Sequence, residues 1–255
     1  MIQAFLSSSC CDCYTVAEYE MLDSTNTKAR QLAENGAAEG TVIVAHQQEQ
    51  GRGRFGRSFF SPSSTGLYMS VVLRPRIAAE HALYITTAAA VAVAEAAENL
   101  TGEPTSIKWV NDVYCRGKNV CGILTEGRMD GDTLQYAVLG IGVNLAPPSE
   151  GFPDDLSDKA GALLQTVSAE TRDRLAADIL ERFWRYYTAL EKKTFLEKYR
   201  SRSLLDGKTV HLLTADGTPT QTVQVLGVDD EFSLIVKGED GNIRHLSSGE
   251  VSIRL

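Results

Sequence analysis

Apolar and polar positions divide the chain into two textures. The short, nearly unbroken apolar runs Thr41-Val42-Ile43-Val44-Ala45 and Leu67-Tyr68-Met69-Ser70-Val71-Val72-Leu73 predict buried strands over 41–46 and 66–73. Further strands are predicted over 105–109, 113–115, 120–126 and 135–143. Residues 25–35 have polar, helical character ending at Gly36, with Asp23, Ser24 or Thr25 as the cap. The Ala-rich stretch 82–100 predicts a buried helix whose small side chains let it lie close on a sheet. Leu175, Ile179, Phe183, Tyr187 and Leu190 recur at helical spacing, so 171–190 is an amphipathic helix whose aromatic stripe belongs to a core. After Ser203 the pattern shortens to alternating segments over 209–213, 222–226, 233–237 and 243–246. These are separated by Asp216-Gly217, Asp229-Asp230 and Asp240-Gly241 turns, which predicts a small antiparallel β-barrel. The chain therefore divides into 1–203 and 204–255.

Composition narrows the classes open to such a chain. Its 255 residues, 43% hydrophobic and 23% charged, suffice for a sizeable core and a smaller second unit. A net charge of -8 argues against a general nucleic-acid binder, because affinity for the phosphate backbone comes from clustered Lys and Arg. No apolar run approaches the roughly 20 residues of a membrane span, and residues 1–14 lack the form of a signal peptide. Five cysteines, an odd number, suit a reducing compartment, so a cytoplasmic protein is expected. Cys10, Cys11 and Cys13 have no histidine or second cysteine pair nearby and read as reduced bystanders. Cys115 and Cys121 flank a hairpin turn at Arg116-Gly117-Lys118-Asn119.

Against this acidic background stands Gly51-Arg52-Gly53-Arg54-Phe55-Gly56-Arg57. Glycine lets backbone amides approach an anion, and arginine presents a permanently charged planar fork of donors, so the loop suits phosphates. The glycines satisfy Gly-x-Gly-x-x-Gly, but a dinucleotide site needs a helix to follow, and Ser58-Phe59-Phe60-Ser61-Pro62 does not open one. The His-Arg-Asp and Asp-Phe-Gly strings of a kinase are missing from the sequence. A solvated basic loop is the bland alternative.

Two more clusters carry chemistry. In Lys108-Trp109-Val110-Asn111-Asp112, an extended segment would put Lys108, Val110 and Asp112 on one face and Trp109 and Asn111 on the other. The lysine offers a point charge and the aspartate can orient a cation or magnesium, unless both are merely an exposed ion pair. Gly140-Ile141-Gly142-Val143-Asn144 permits close approach of a flat ligand, with an amide able to meet an adenine edge, unless it is a β-bulge.

Taken in order, these strings resemble the biotin protein ligase family. The resemblance rests on Asp23-Ser24-Thr25-Asn26, Gln48, the glycine–arginine loop, Phe60-Ser61-Pro62 with Gly66-Leu67-Tyr68, Lys108-Trp109 with Asn111-Asp112, Cys121-Gly122-Ile123-Leu124-Thr125-Glu126, Gly140 to Asn144, and Ser248-Gly249-Glu250-Val251. It spans roughly residues 18–255 and implies an α+β fold. A mixed-sheet catalytic domain with helices, of the biotin/lipoate ligase type, would occupy 1–203, and a small SH3-like β-barrel would occupy 204–255.

The implied reaction has two steps. Biotin and ATP, with Mg2+, give biotinyl-5'-AMP and pyrophosphate, and a lysine of a biotin carboxyl carrier protein then displaces AMP. Carried over by position, Ser24, Thr25, Asn26, Gln48, Gly51, Arg52, Arg54, Lys118, Asn119 and Gly122 would lie at biotin. Their hydroxyls and amides can satisfy a ureido group that is costly to bury unpaired. Arg54, Arg57, Phe59, Asn111, Gly140 and Asn144 would lie at the nucleotide, Phe59 standing where the family often has Trp. Arg52, Arg54, Lys108 and Asp112 would act at the reacting phosphate and carboxylate. The partners implied are biotin, ATP and the carrier domain, with neither nucleic acid nor membrane, in a monomer or homodimer.

Two departures qualify the resemblance. Only about 20 residues precede Asp23, too few for the helix-turn-helix that makes some members repressors, so repression is not expected. Related ligases place a lysine three positions before Gly122, where this chain has Asn119, preceded by Lys118. A lipoate or octanoate transferase of related fold, or a noncatalytic biotin or adenylate sensor, are the alternatives.

Overall fold

The computed structural model of the chain describes residues 1–75, 77–131, 133–214, 217–247 and 250–253. Ser248 and Gly249 of the terminal motif, and Asp216 of one expected turn, lie outside the described residues. The first unit contains β1 (Thr15–Leu22), α1 (Thr25–Glu34), β2 (Thr41–Gln48), β3 (Gly66–Leu73), α2 (Leu83–Thr101), β4 (Thr105–Lys108), β5 (Asp112–Cys115), β6 (Lys118–Asp130) and β7 (Thr133–Asn144). Helices α3 (Asp154–Ser157), α4 (Ala169–Tyr187) and α5 (Leu196–Arg200) follow. Strands β8 (Thr209–Leu213), β9 (Pro219–Val228), β10 (Leu234–Gly238), β11 (Ile243–Leu246) and β12 (Glu250–Ile253) complete it.

Seven strands form one mixed sheet in the order β1-β2-β3-β7-β6-β5-β4, with only β1 and β2 parallel. The C-terminal strands form a separate five-stranded antiparallel sheet, β11-β10-β9-β8-β12, where a small barrel is expected. Strand β1 is an element that the apolar pattern does not announce. It is an edge strand, and Thr15–Leu22 is half-exposed and carries Glu18 and Glu20, as edge strands commonly do.

Helices cover the sheet unequally. Behind it, α2 and α4 bury the main core, and Ala88, Ala89, Ala90, Ala92 and Ala94 of α2 are all fully covered, the tight helix–sheet contact that their small side chains allow. In front, α1 covers a smaller cluster of Ala29, Ala33, Ile43, Val72, Tyr136 and Val138. The rest of the front face is left open between β7 and β4. Among the described residues no helix is long and apolar enough to cross a membrane, and all five cysteines are free thiols.

One expectation is corrected. Lys108 to Asp112 is not a single extended segment: the chain reverses at Trp109-Val110-Asn111, and Lys108 and Asp112 become cross-strand partners of a β4–β5 hairpin. The reason is burial. Trp109, Val110 and Asn111 are 4%, 3% and 9% exposed, so none occupies the solvent face that an alternating strand would need. The Asn111 side-chain amide donates to the Ile123 carbonyl at 2.9 Å, which holds the turn against β6.

That turn also joins the two units. The indole Nε1 of Trp109 donates to the carbonyl of fully buried Phe232 at 2.8 Å. The Phe232 ring stacks on Phe195 at 5.2 Å and meets Tyr84 and Tyr199 edge-on. Trp109→Phe keeps an aromatic ring there but leaves a buried carbonyl without its donor, and should cost about 1–3 kcal/mol in urea unfolding. An unchanged midpoint would show that this hydrogen bond does not hold the units together.

Candidate functional site

Sheet register places the separate sequence clusters side by side. Lys108 pairs with Asp112, Asp112 with Gly122, Gly122 with Gly142, and Gly142 with Tyr68. Register partners share a face, so these residues form one transverse row from β4 to β3. The next row on that face holds Leu124, Gly140 and Ser70. From Gly142 to Lys108 is three strand spacings, about 14 Å. A cleft of about 960 Å³ lies over these rows.

The glycines are there for space. A Cβ on Gly142 would come within 2.6 Å of the Phe59 ring, and one on Gly122 within 3.2 Å of the same ring. Phe59 therefore lies flat on paired bare backbone, with its edge toward Tyr68. A Cβ on Gly140 would fall 2.1 Å from Oδ1 of Asn26. Neither Gly140 nor Gly142 marks a bulge, since their stretch of β7 pairs in unbroken register with β3.

The start of α1 supplies the polar end of the cleft. Ser24 caps the helix, its side chain accepting from the Thr27 N–H. Gln48 Oε1 accepts from the Thr25 amide at 2.8 Å and the Thr25 hydroxyl at 3.1 Å, while its Nε2 donates to Ser61 Oγ at 2.8 Å. Asn26, 4% exposed, accepts from Ser70 Oγ at 2.6 Å and donates to Glu126 at 2.9 Å. A continuous hydrogen-bonded floor results.

The glycine–arginine loop closes the front. It folds back on itself, the Gly53 amide donating to the Arg57 carbonyl and the Phe59 amide to the Gly51 carbonyl, both at 2.7 Å, around a 3₁₀ turn at Arg54–Gly56. No helix follows it, so the dinucleotide reading falls. Gly51 sits beneath the loop, where a Cβ would lie 2.2 Å from the Phe59 carbonyl oxygen. Arg52 pairs with Glu126, and Arg54 donates to Asn111 Oδ1 at 3.0 Å.

Of the residues singled out in the sequence, Ser24, Thr25, Asn26, Gln48, Arg52, Arg54, Arg57, Phe59, Lys108, Asn111, Asp112, Asn119, Gly122, Gly140 and Asn144 all line the cleft. Gly51 and Lys118 do not. The Lys118 ammonium donates instead to the Asp158 carbonyl at 2.6 Å. A tight turn explains this: Arg116 and Gly117 both have positive φ, a two-residue hairpin that puts Lys118 and Asn119 on opposite faces. The Asn119 side chain lies near the Tyr114 hydroxyl. Burial, with Asp112 adding to it, pushes that hydroxyl up to about 12, so it stays neutral.

Several cleft residues had no sequence signal. Phe152, Leu156, Lys159 and Ala160 come from α3 and the chain beside it, where Ala160 pairs with Asn119, and Leu204, Lys208 and Leu213 from the β8 side of the C-terminal unit. Glu126 ends the Cys121–Glu126 string, which gives it no role by itself. Among the described residues, six basic side chains line the cleft, Arg52, Arg54, Arg57, Lys108, Lys159 and Lys208, against three acidic ones, Asp112, Asp155 and Asp158. In a chain of net charge -8 that concentration marks a site for anions. Among the described residues no group of three His, Cys, Asp or Glu could hold a metal by itself.

Comparison with known proteins shows the family and the fold. The model of the biotin/lipoate A/B protein ligase family matches residues 18–144, and that of the biotin protein ligase C terminal domain matches 207–254. The bifunctional ligase/repressor BirA of Bacillus spizizenii is 36% identical over 239 residues, covering 92% of this chain and 72% of that protein. A biotin–[acetyl-CoA-carboxylase] ligase of Paracoccus denitrificans is 32% identical over 231 residues, 86% of this chain and 92% of its own. Among solved structures, the biotin protein ligase of Aquifex aeolicus in complex with biotin and ATP superposes with a TM-score of 0.75 at 29% identity, covering 94% of this chain and 98% of that one. Matching in both of its units, and covering 92% of the 32% identical Paracoccus ligase, this chain belongs to the biotin protein ligase family.

Proposed function

We propose that the protein activates biotin with ATP and transfers it to a lysine of a biotin carboxyl carrier domain. The observation that carries this reading is the single sheet face on which a hydroxyl–amide floor at Thr25, Asn26 and Gln48 adjoins the row ending at Lys108, with Arg52, Arg54 and Arg57 of the loop lining the same cleft. The floor suits a neutral ureido group and the cations suit a carboxylate and phosphates.

In the first step a biotin carboxylate oxygen attacks the α-phosphorus of ATP, and the bond to the β-phosphate oxygen breaks. Pyrophosphate leaves and biotinyl-5'-AMP remains. Arg52 and Arg54 neutralise the two anions as they approach, Arg57 acts at the phosphates, and Lys108 meets charge that develops during displacement. In the second step the neutral amine of a carrier lysine attacks the acyl carbon, and AMP leaves with the bonding pair as an amide forms. Phe59 on Gly122 and Gly142 walls the ligand, Asn144 presents its amide to the nucleotide, and Asn111 acts there by holding Arg54. Magnesium fits as a companion of ATP, since the cleft offers Asp112 and the nucleotide supplies further oxygens. Residues 1–203 form the catalytic domain. The unit at 204–255 contributes Leu204, Lys208 and Leu213 to its wall. Reduced cysteines suit a cytoplasmic enzyme.

Isotope exchange between pyrophosphate and ATP tests the first step. Exchange should depend on biotin and not on octanoate or lipoate. Dependence on either of those acids would favour the related transferase chemistry, and tight biotin binding without exchange would leave a sensor.

The Lys118–Asn119 departure gives a smaller prediction. Lys118→Ala should leave both half-reactions within about twofold of normal, because its ammonium is engaged outside the cleft. Asn119→Lys should tighten biotinyl-adenylate binding by about tenfold through a charge-assisted hydrogen bond. Severe loss of adenylation in Lys118→Ala, measured by the same exchange, would move Lys118 into the site.

A further inference from the structure

Glu126 lies on the site face of β6, two residues beyond Leu124 and four beyond Gly122, at the place where the arginine loop meets the cleft floor. Both of its oxygens are engaged. Oε1 pairs with Arg52 Nη2 at 3.0 Å, and Oε2 accepts from Arg52 Nη1 at 3.2 Å and from Asn26 Nδ2 at 2.9 Å. The Arg52 contact is thus a two-pronged guanidinium–carboxylate pair, the geometry that fixes orientation as well as distance. The Asn26 amide is held from both ends, because its Oδ1 accepts from Ser70. The Ser70 oxygen also lies 2.8 Å from the Thr25 hydroxyl, which lies 3.1 Å from Gln48 Oε1.

We propose that Glu126 is a positioning residue for biotin recognition, setting the orientation of Arg52 and Asn26 together so that loop and floor meet the ligand as one preorganised unit. This rests on the biotin ligase reading above. An ordinary exposed ion pair is the competing account, and such pairs contribute about 1 kcal/mol or less. Asn26 decides between them. It is 4% exposed, so the same carboxylate that pairs with the arginine also satisfies a buried amide donor, and loss of a shared acceptor is felt through the whole network. The negative charge also serves orientation: an amide at 126 could still accept from Asn26 but would turn N–H groups toward Arg52.

The test uses the full chain and steady-state adenylation. Glu126→Gln should raise the KM for biotin by about tenfold while kcat falls by less than about threefold. Glu126→Ala should raise KM further, because the Asn26 amide then keeps only the longer 3.4 Å contact to the Leu124 carbonyl, and Glu126→Asp should fall between the wild type and Glu126→Gln. In an Arg52→Ala background the effect of Glu126→Gln should shrink to about twofold, the non-additivity expected of residues acting through one contact. Tryptic cleavage within residues 52–57 of the ligand-free protein should be faster in Glu126→Gln. An unchanged KM for biotin in Glu126→Gln, or a tenfold rise that persists in the Arg52→Ala background, would overturn the assignment. Absence of biotin-dependent exchange in the wild type would instead overturn the ligase reading.

Discussion

Lys108→Ala should lower kcat for adenylation by about 10²–10³-fold while leaving biotin affinity within about threefold. Lys108 ends the row Lys108, Asp112, Gly122 and Gly142, far from the amide floor that would hold the ureido ring. In the proposed reaction its charge would meet the negative charge that redistributes between carboxylate, phosphate and pyrophosphate, and an interaction that strengthens only in the transition state acts on kcat. Single-turnover formation of biotinyl-5'-AMP, with biotin binding measured separately by calorimetry, separates the two effects. Collapse of biotin binding with normal turnover at saturation would make Lys108 a ground-state ligand.

Gly140→Ala should weaken biotin binding by about 100-fold. The added methyl would lie 2.1 Å from Asn26 Oδ1, and Asn26 cannot yield without breaking its bonds to Ser70 and Glu126. Overpacking of this kind costs about 1–3 kcal/mol, and loss of a hydrogen bond to a charged group a further 1.5–3 kcal/mol or so. In the double variant Asn26→Ala/Gly140→Ala the methyl meets no amide, so binding should be no weaker than in Asn26→Ala alone. Calorimetry with biotin checks both. Normal binding by Gly140→Ala would show that Asn26 does not face the ligand as described.

The sequence carried much of this because buried strands and chemical motifs leave strong local signals. The run from Gly66 to Leu73 is apolar on both faces, and the observed strand has those ends. Edge strand β1 is half-exposed and lacks such a run. The two strands over 105–109 and 113–115 are legible in the sequence, but not the tight reversal at Trp109-Val110-Asn111, because alternation assumes an exposed face and all three residues are buried. For the cleft, the motifs named most of its walls but not their adjacency. That Lys108, Gly122 and Gly142 share a row is a consequence of register across four strands, which no local pattern contains. Lys159 and Lys208 stayed hidden for a similar reason: an isolated lysine in an irregular segment or at a strand edge reads as solvent-exposed until folding brings it to the cleft. Glu126 was visible as a letter in a motif, and its role emerges only from the two residues that converge on it.

The central claim is tested most directly by incubating the protein with ATP, magnesium, biotin and a biotin carboxyl carrier domain and recording the intact mass of the carrier. The carrier should gain one biotinyl group, joined as an amide to a single lysine, and should gain nothing when ATP or biotin is omitted. A carrier of unchanged mass, in the presence of protein that binds biotin and ATP, would contradict the account.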